Sequence, residues 1–289
     1  MKKIKYYLLL ISISFIISGC SLFKRDSMEN INIITTIYPL EYAINYLYGD
    51  SSVVNSIYPD GINIDVYTLT EKQYKDNSNK DLFVYMGLSN DSDIAVELIN
   101  RNKNLKLIDA TYGMEYKVDI SELWLNPANL LMILQNIKNG LIEYIDNTFI
   151  KDEINEKYQE LKMILSELDA NIKTTIENAN KKTIYTNSKA LSFLEKYGLN
   201  VIVINKELDL YEKNLALLKN DIEEDHIKYF FTLENSELDE EIKKLAETEK
   251  IKIEEFRNLK NITDDERNNK TEYVEIINNN IELIKKEIY

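Results

Sequence analysis

The sequence predicts an α/β protein of two lobes, each with a mainly parallel sheet, joined by one long backbone helix. Three observations carry this expectation. Short strand-like apolar runs alternate with helical patterns in both halves of the chain, the signature of parallel layered sheets. The most regular segment, 151–178, lies between the two alternating halves and contains neither Gly nor Pro. With 289 residues, 44% of them hydrophobic, the chain has enough apolar surface for two cores.

The elements follow in order. A strand is expected over 32–37 and a helix over 39–48 that stops at Gly49. A second strand covers 53–58, before the turn Pro59-Asp60-Gly61. Residues 81–88 (DLFVYMGL) form a nearly continuous apolar run, as expected of a strand buried on both faces. A helix over 94–100 and a short strand over 105–108 complete the first lobe. In the second half, strands are expected at 183–186, 201–204, 229–233 and 250–253. Helices fall at 190–196, 212–224, 237–248 and 272–287.

In the central segment, Ile154, Tyr158, Leu161, Leu165, Leu168, Ile172 and Ile176 repeat at steps of three or four, which keeps one helical face apolar. At 1.5 Å per residue it spans roughly 40 Å, longer than one small lobe needs. A coiled-coil dimerisation helix is the alternative; the position between two α/β patterns favours a helix that runs along both lobes.

The N-terminus has three zones. Lys2, Lys3 and Lys5 precede an apolar stretch over 6–17, and Ile17-Ser18-Gly19-Cys20 closes it. A stretch of about a dozen residues is too short to span a membrane, which takes roughly 20, and the layout fits a secretory signal. The ending resembles a lipobox, with Cys20 as the lipidated residue. Cys20 is the only cysteine, so it forms no internal disulfide. The chain divides into a signal peptide (1–19), a lipidated tether (20–31), a first lobe (32–148), the connecting helix (149–180) and a second lobe (181–289). The expected location is the extracytoplasmic face of the cell membrane, held there by the lipid anchor.

Composition narrows the function classes. The net charge is −14, and no basic block follows the N-terminus, so a nucleic-acid footprint is absent. A single histidine, no second cysteine and no Gly-rich phosphate loop leave no nucleophile–base pair. Asp65 and Glu122 could form a carboxylate pair of the glycosidase kind, but nothing accompanies them that suggests sugar recognition. The expectation is a binding protein, not an enzyme, with no organic cofactor.

Ordered motifs then give the chain a resemblance. Thr35-Thr36-Ile37-Tyr38-Pro39, Gly49-Asp50, the loop of Pro59, Gly61, Tyr67 and Thr70, Asp81-Leu82-Phe83 to Gly87, Trp124-Leu125 with Pro127, Tyr197-Gly198-Leu199, and Tyr273 with Asn280 run in sequence. They resemble the zinc- and manganese-type solute-binding lipoproteins of ABC transporters, the adhesin-like metal-binding family. All three prolines fall within these motifs. The resemblance implies a monomeric receptor with a metal ion between its lobes, an ABC permease and its ATPase as partners, and the divalent ion as transported cargo.

The positions matching the family's metal ligands have changed. The resemblance places them at Asp65, Glu122, Ser188 and Thr271 (with Glu272 beside it), where the family typically uses histidines and a carboxylate. Asp119 is a candidate third carboxylate. The one histidine, His226, lies in an acidic helix end and reads as a surface residue. Carboxylates are hard oxygen donors, so Asp65 and Glu122 suit Mn²⁺, Mg²⁺ or Ca²⁺ better than Zn²⁺. Three readings stay open: a divalent-cation receptor, a cleft reassigned to an organic cation or other polar solute, and a surface interaction protein that keeps the fold without a ligand.

Overall fold

The structure, a computed structural model, describes residues 28–248 and 250–289. The expectations for the signal segment and Cys20 lie outside the described residues. Among the described residues no helix is long and apolar enough to cross a membrane.

Two four-stranded parallel sheets form the frame. The first contains β1 (Ile31–Thr35), β2 (Ser52–Ser56), β3 (Leu82–Tyr85) and β4 (Lys106–Asp109), in the order β2-β1-β3-β4. The second repeats that topology with β5 (Thr183–Thr186), β6 (Asn200–Val203), β7 (Tyr229–Leu233) and β8 (Lys252–Phe256), in the order β6-β5-β7-β8. The α/β class and the parallel pairing are therefore as the alternating pattern predicts.

Strand periodicity distributes side chains between the two faces of each sheet. In β1, Ile33 joins the large central core while its neighbour Ile34 joins an outer cluster. Leu82 and Val84 of β3 face inward, and Phe83 faces outward. The second sheet does the same, with Phe231 in the central core and Tyr185 and Phe230 in its own outer cluster. The inner strands β1, β3, β5 and β7 are mostly buried on both faces, and β3 accordingly reads as a continuous apolar run.

The helices cover these faces. In the first lobe α1 (Tyr38–Tyr48) lies inside, and α2 (Glu71–Ser78) and α3 (Asp91–Arg101) lie outside. A one-turn α4 (Glu122–Leu125) leads into α5 (Pro127–Tyr144) and then α6 (Thr148–Glu177). In the second lobe α7 (Tyr211–Glu223) and α8 (Glu240–Glu247) pack outside, while α9 (Asp264–Asn269) and α10 (Tyr273–Ile288) follow β8. The helix expected over 190–196 is a 3₁₀ segment, Lys189–Tyr197, that ends at Gly198 in the left-handed conformation.

The connecting helix α6 has 30 residues, about 45 Å at 1.5 Å per residue. Every residue of the apolar stripe is buried, with Ile150 added at its start. The stripe packs against α5, α1 and α10 of the same chain. The apolar face is therefore used within the chain and is not a seam for a partner helix. One continuous core runs from Met28 to Ile288 through both lobes.

Several boundaries differ from the sequence reading. The run over 81–88 is a strand only as far as Tyr85, because the Met86 and Gly87 amides leave the sheet to bond Asp91 and Asp109. β8 begins two residues later than expected, at Lys252. The 18-residue helix α5 has no counterpart in the sequence reading. It starts at Pro127, capped by Asn126, whose Oδ1 accepts from the Ala128 amide at 3.2 Å. Gly140 within it marks a close approach: a Cβ there would lie 2.7 Å from Ile108 Cγ1.

Candidate functional site

In an open α/β sheet, ligands bind outside the carboxyl ends of the strands where the strand order reverses. Here those points lie between β1 and β3, and between β5 and β7. The loops after β1 and β3 open onto a cleft of about 680 Å³. Tyr58, Tyr67, Tyr116 and Trp124 line its walls, with the carboxylates of Asp65, Asp91 and Asp93. One residue of the second lobe, Lys260, completes the lining. Another cavity, about 640 Å³, opens at the equivalent point of the second sheet beside Asn187, Ser236 and Lys206. It is lined by none of the residues singled out from the sequence.

Asp65 sits on the loop after β2, its amide bonded to Asn63 Oδ1 at 3.0 Å. Its carboxylate oxygens accept from Lys260 Nζ at 2.6 and 2.8 Å. Glu122 is the first residue of α4 and turns its carboxylate back onto the Lys117 amide. Asp119 does the same locally, accepting from the Ser121 amide at 2.8 Å. Ser188 caps the 3₁₀ segment, its Oγ accepting from Ala190 N at 3.1 Å. Thr271 lies between α9 and α10, where its carbonyl accepts from Tyr38 Oη at 3.0 Å.

Of these positions, only Asp65 lines the cleft. Among the described residues no three His, Cys, Asp or Glu side chains gather where they could hold a metal ion. His226 is well exposed beside Glu224, in keeping with a surface residue.

Ion pairs gather beside β8 at the carboxyl end of the second sheet. Arg257, directly after β8, reaches Glu234 at 2.7 Å and Glu266 at 2.8 Å. Its Nε is buried without a hydrogen-bond partner. Burial pushes the Glu234 carboxyl up, and Arg257 offsets part of that shift.

Asp91, Lys260 and Arg257 were not singled out from the sequence. Asp91 follows β3 at the switch point and opens α3, a position that strand order alone could have marked. Its carboxylate accepts from Thr36 Oγ1 at 2.5 Å and from the Met86 amide at 3.2 Å. Desolvation raises its pKa, outweighing those bonds and the attraction of Lys260.

A carboxyl whose pKa is raised in the fold stabilises it below the ordinary aspartate range, and that contribution is lost as pH rises through the raised value. Asp91→Asn should remove this dependence. Urea denaturation across that window should show the wild type gaining on the variant as pH falls; a pH-independent difference would refute it.

Twin sheets of identical topology, a helix running the length of both, and a cleft at a switch point define a two-lobed binding-protein architecture. The chain belongs to the family described as zinc-uptake complex component A, periplasmic (ZnuA), which it matches over residues 33–287. A zinc-binding protein, AdcA, of Streptococcus pyogenes is 23% identical over 319 residues, covering 98% of this chain and 61% of that protein. The chain thus spans about three fifths of the length of that relative. The high-affinity zinc uptake system protein ZnuA of Bacillus subtilis is 21% identical over 89% of this chain and 87% of its own.

Solved structures agree on the fold. The metal-dependent lipoprotein YcdH of Bacillus subtilis superposes with a TM-score of 0.74 at 20% identity, covering 90% of this chain and 99% of that one. The Zn(II)-bound ZnuA-like domain of Streptococcus pneumoniae AdcA gives 0.72 at 20% identity, with the same coverage. The laminin-binding protein Lbp of Streptococcus pyogenes gives 0.70 at 19% identity, covering 90% of this chain and all of that one.

Proposed function

We propose that the protein is an extracytoplasmic, lipid-anchored solute-binding component of an ABC importer that carries a divalent cation in its interlobe cleft. Membership of the uptake-component family supports the transport role, with a permease and its ATPase as partners. The observation that carries the cation reading is that Asp65, Asp91 and Asp93 line the same cleft, where an entering ion would have to draw them together. These are hard oxygen donors, suited to Mn²⁺ or Ca²⁺. Without imidazole or thiolate in the lining, a tight zinc site has no soft donors to use.

Asp65 would be the first ligand. Glu122 joins only when its carboxylate releases the Lys117 amide. The ion must also dislodge Lys260 from Asp65, so the affinity should be modest.

Calorimetry of the metal-stripped protein with Mn²⁺, Ca²⁺ and Zn²⁺ tests this. Asp65→Ala should abolish the Mn²⁺ heat and Glu122→Ala should weaken it. Binding no tighter than about millimolar for every ion would end the cation reading.

A second reading rests on the cleft's size and walls. About 680 Å³ lined by three tyrosines and a tryptophan suits a small polar organic solute better than a bare ion. Saturation by such a solute in EDTA would favour it.

A further inference from the structure

The cleft already contains a cation of the chain's own. We propose that Lys260 determines what this cleft accepts: its ammonium neutralises Asp65 and ties the two lobes together, so that closure needs no bound metal. A divalent ion then enters only by displacing it. The inference rests on the reading that this cleft is the cargo site.

The bond is built, not incidental. Lys260 belongs to the loop after β8 in the second lobe and Asp65 to the loop after β2 in the first, 195 residues apart. Both carboxylate oxygens are engaged by the one ammonium. The Lys260 side chain is 23% exposed and that of Asp65 55%. An ion pair this open contributes little alone, so its weight depends on the backbone that holds it.

That backbone is held from several sides. Lys260 N donates to Asn258 Oδ1 at 2.7 Å, and Lys260 O accepts from the Tyr38 amide at 3.1 Å. One residue on, Asn261 Nδ2 donates to Pro59 O at 2.8 Å and to Ile62 O at 3.0 Å, fastening the loop that carries Asp65. The Gly61 amide donates to Ile262 O at 2.8 Å.

The residue before Lys260 is unusual. Leu259 is fully buried in the shared core yet has φ +57°, a left-handed conformation that a branched side chain rarely adopts. Such strain persists where the surroundings over-determine it and clusters at functional positions. Here it lets Leu259 enter the core while the next side chain turns to the opposite lobe.

The consequence is a competition. A divalent ion approaching Asp65 meets a carboxylate already neutralised, while the tethered ammonium stays at high effective concentration. Removing the ammonium should expose Asp65 and loosen the loops at once.

The test compares wild type, Lys260→Met and Lys260→Arg, using the full chain in EDTA and then with Mn²⁺. Hydrogen exchange is read at the Tyr38 and Gly61 amides, which bond across to the second lobe. Lys260→Met should speed exchange there about two- to fivefold, the scale of an exposed ion pair, and Lys260→Arg should leave it nearly unchanged. The exchanged pair Asp65→Lys with Lys260→Asp should restore protection. Unchanged exchange in Lys260→Met would overturn the tie.

Calorimetry is the second arm. Lys260→Met should bind Mn²⁺ at least tenfold more tightly than wild type, and equal measurable affinities would overturn the competition while leaving the cation reading intact. If neither protein binds Mn²⁺, the cation reading and the competition both fall, and the exchange arm alone decides whether Lys260 holds the lobes closed.

Discussion

Replacing Trp124 by alanine is expected to cost about 3–5 kcal/mol, as for other buried aromatic deletions. Trp124 is 3% exposed and belongs to the core shared by both lobes. Its Nε1 donates to Asn258 O at 2.8 Å, and its own carbonyl accepts from the buried Tyr273 hydroxyl at 2.6 Å. It is therefore bonded to the second lobe at two points while forming a wall of the cleft.

The loss should appear in urea denaturation followed by far-UV circular dichroism, because this is the chain's only tryptophan. Trp124→Phe keeps most of the bulk but takes away the donor to Asn258 O, at a cost of about 1–3 kcal/mol. Two separate unfolding transitions in the wild type, or a loss below about 1 kcal/mol in the alanine variant, would contradict a shared core.

The second large effect is expected from Arg267→Ala. Arg267 on α9 reaches across to Glu41 of α1, with Nη1 at 2.7 Å and Nη2 at 3.2 Å. It also holds Asp60, with Nη2 at 2.8 Å and a second bond through Nε. Glu41 is only 3% exposed, so removing its partner leaves a buried carboxylate unpaired. Breaking such a pair costs about 3–5 kcal/mol; with the guanidinium itself 42% exposed, about 2–3 kcal/mol is the fitting expectation.

Replacing both partners with leucine should recover much of the loss, because no buried charge then remains. Arg267→Lys should recover little, since one ammonium cannot reproduce the fork that spans two carboxylates. Equal stability of Arg267→Ala and wild type would mean that Glu41 finds water or another partner when the arginine is gone.

Much of the architecture was legible because it is written in local periodicity. The strands at Thr183–Thr186 and Tyr229–Leu233 fall where the sequence places them, since their residues alternate between two buried faces. The long helix was legible from its three- and four-residue steps, and every stripe residue is buried. Helix α5 was not; Asn136, Asn139 and Gly140 within it have low intrinsic helix preference. Its stability comes from packing on β4 and α6, which no local window contains.

The site divides in the same way. Asp65 was legible through the family resemblance of the loop that holds Pro59 and Gly61, and it does line the cleft. Glu122, Ser188 and Thr271 were aligned with ligand positions, but in the structure the Glu122 and Ser188 side chains accept from nearby backbone amides, and Thr271 accepts through its carbonyl from Tyr38 Oη. Side-chain direction depends on local turns and caps, which spacing cannot convey.

The sequence alone determined a two-lobed α/β architecture, because residue type and period are local properties, and its family resemblance put oxygen-bearing side chains at the expected ligand positions. Tertiary structure alone decided that Lys260 lies on Asp65, Arg257 on Glu234 and Arg267 on Glu41. Two of those pairs join residues about two hundred positions apart. Electrostatic partners are chosen by distance in space, and only closing both sheets around one core brings those charges together.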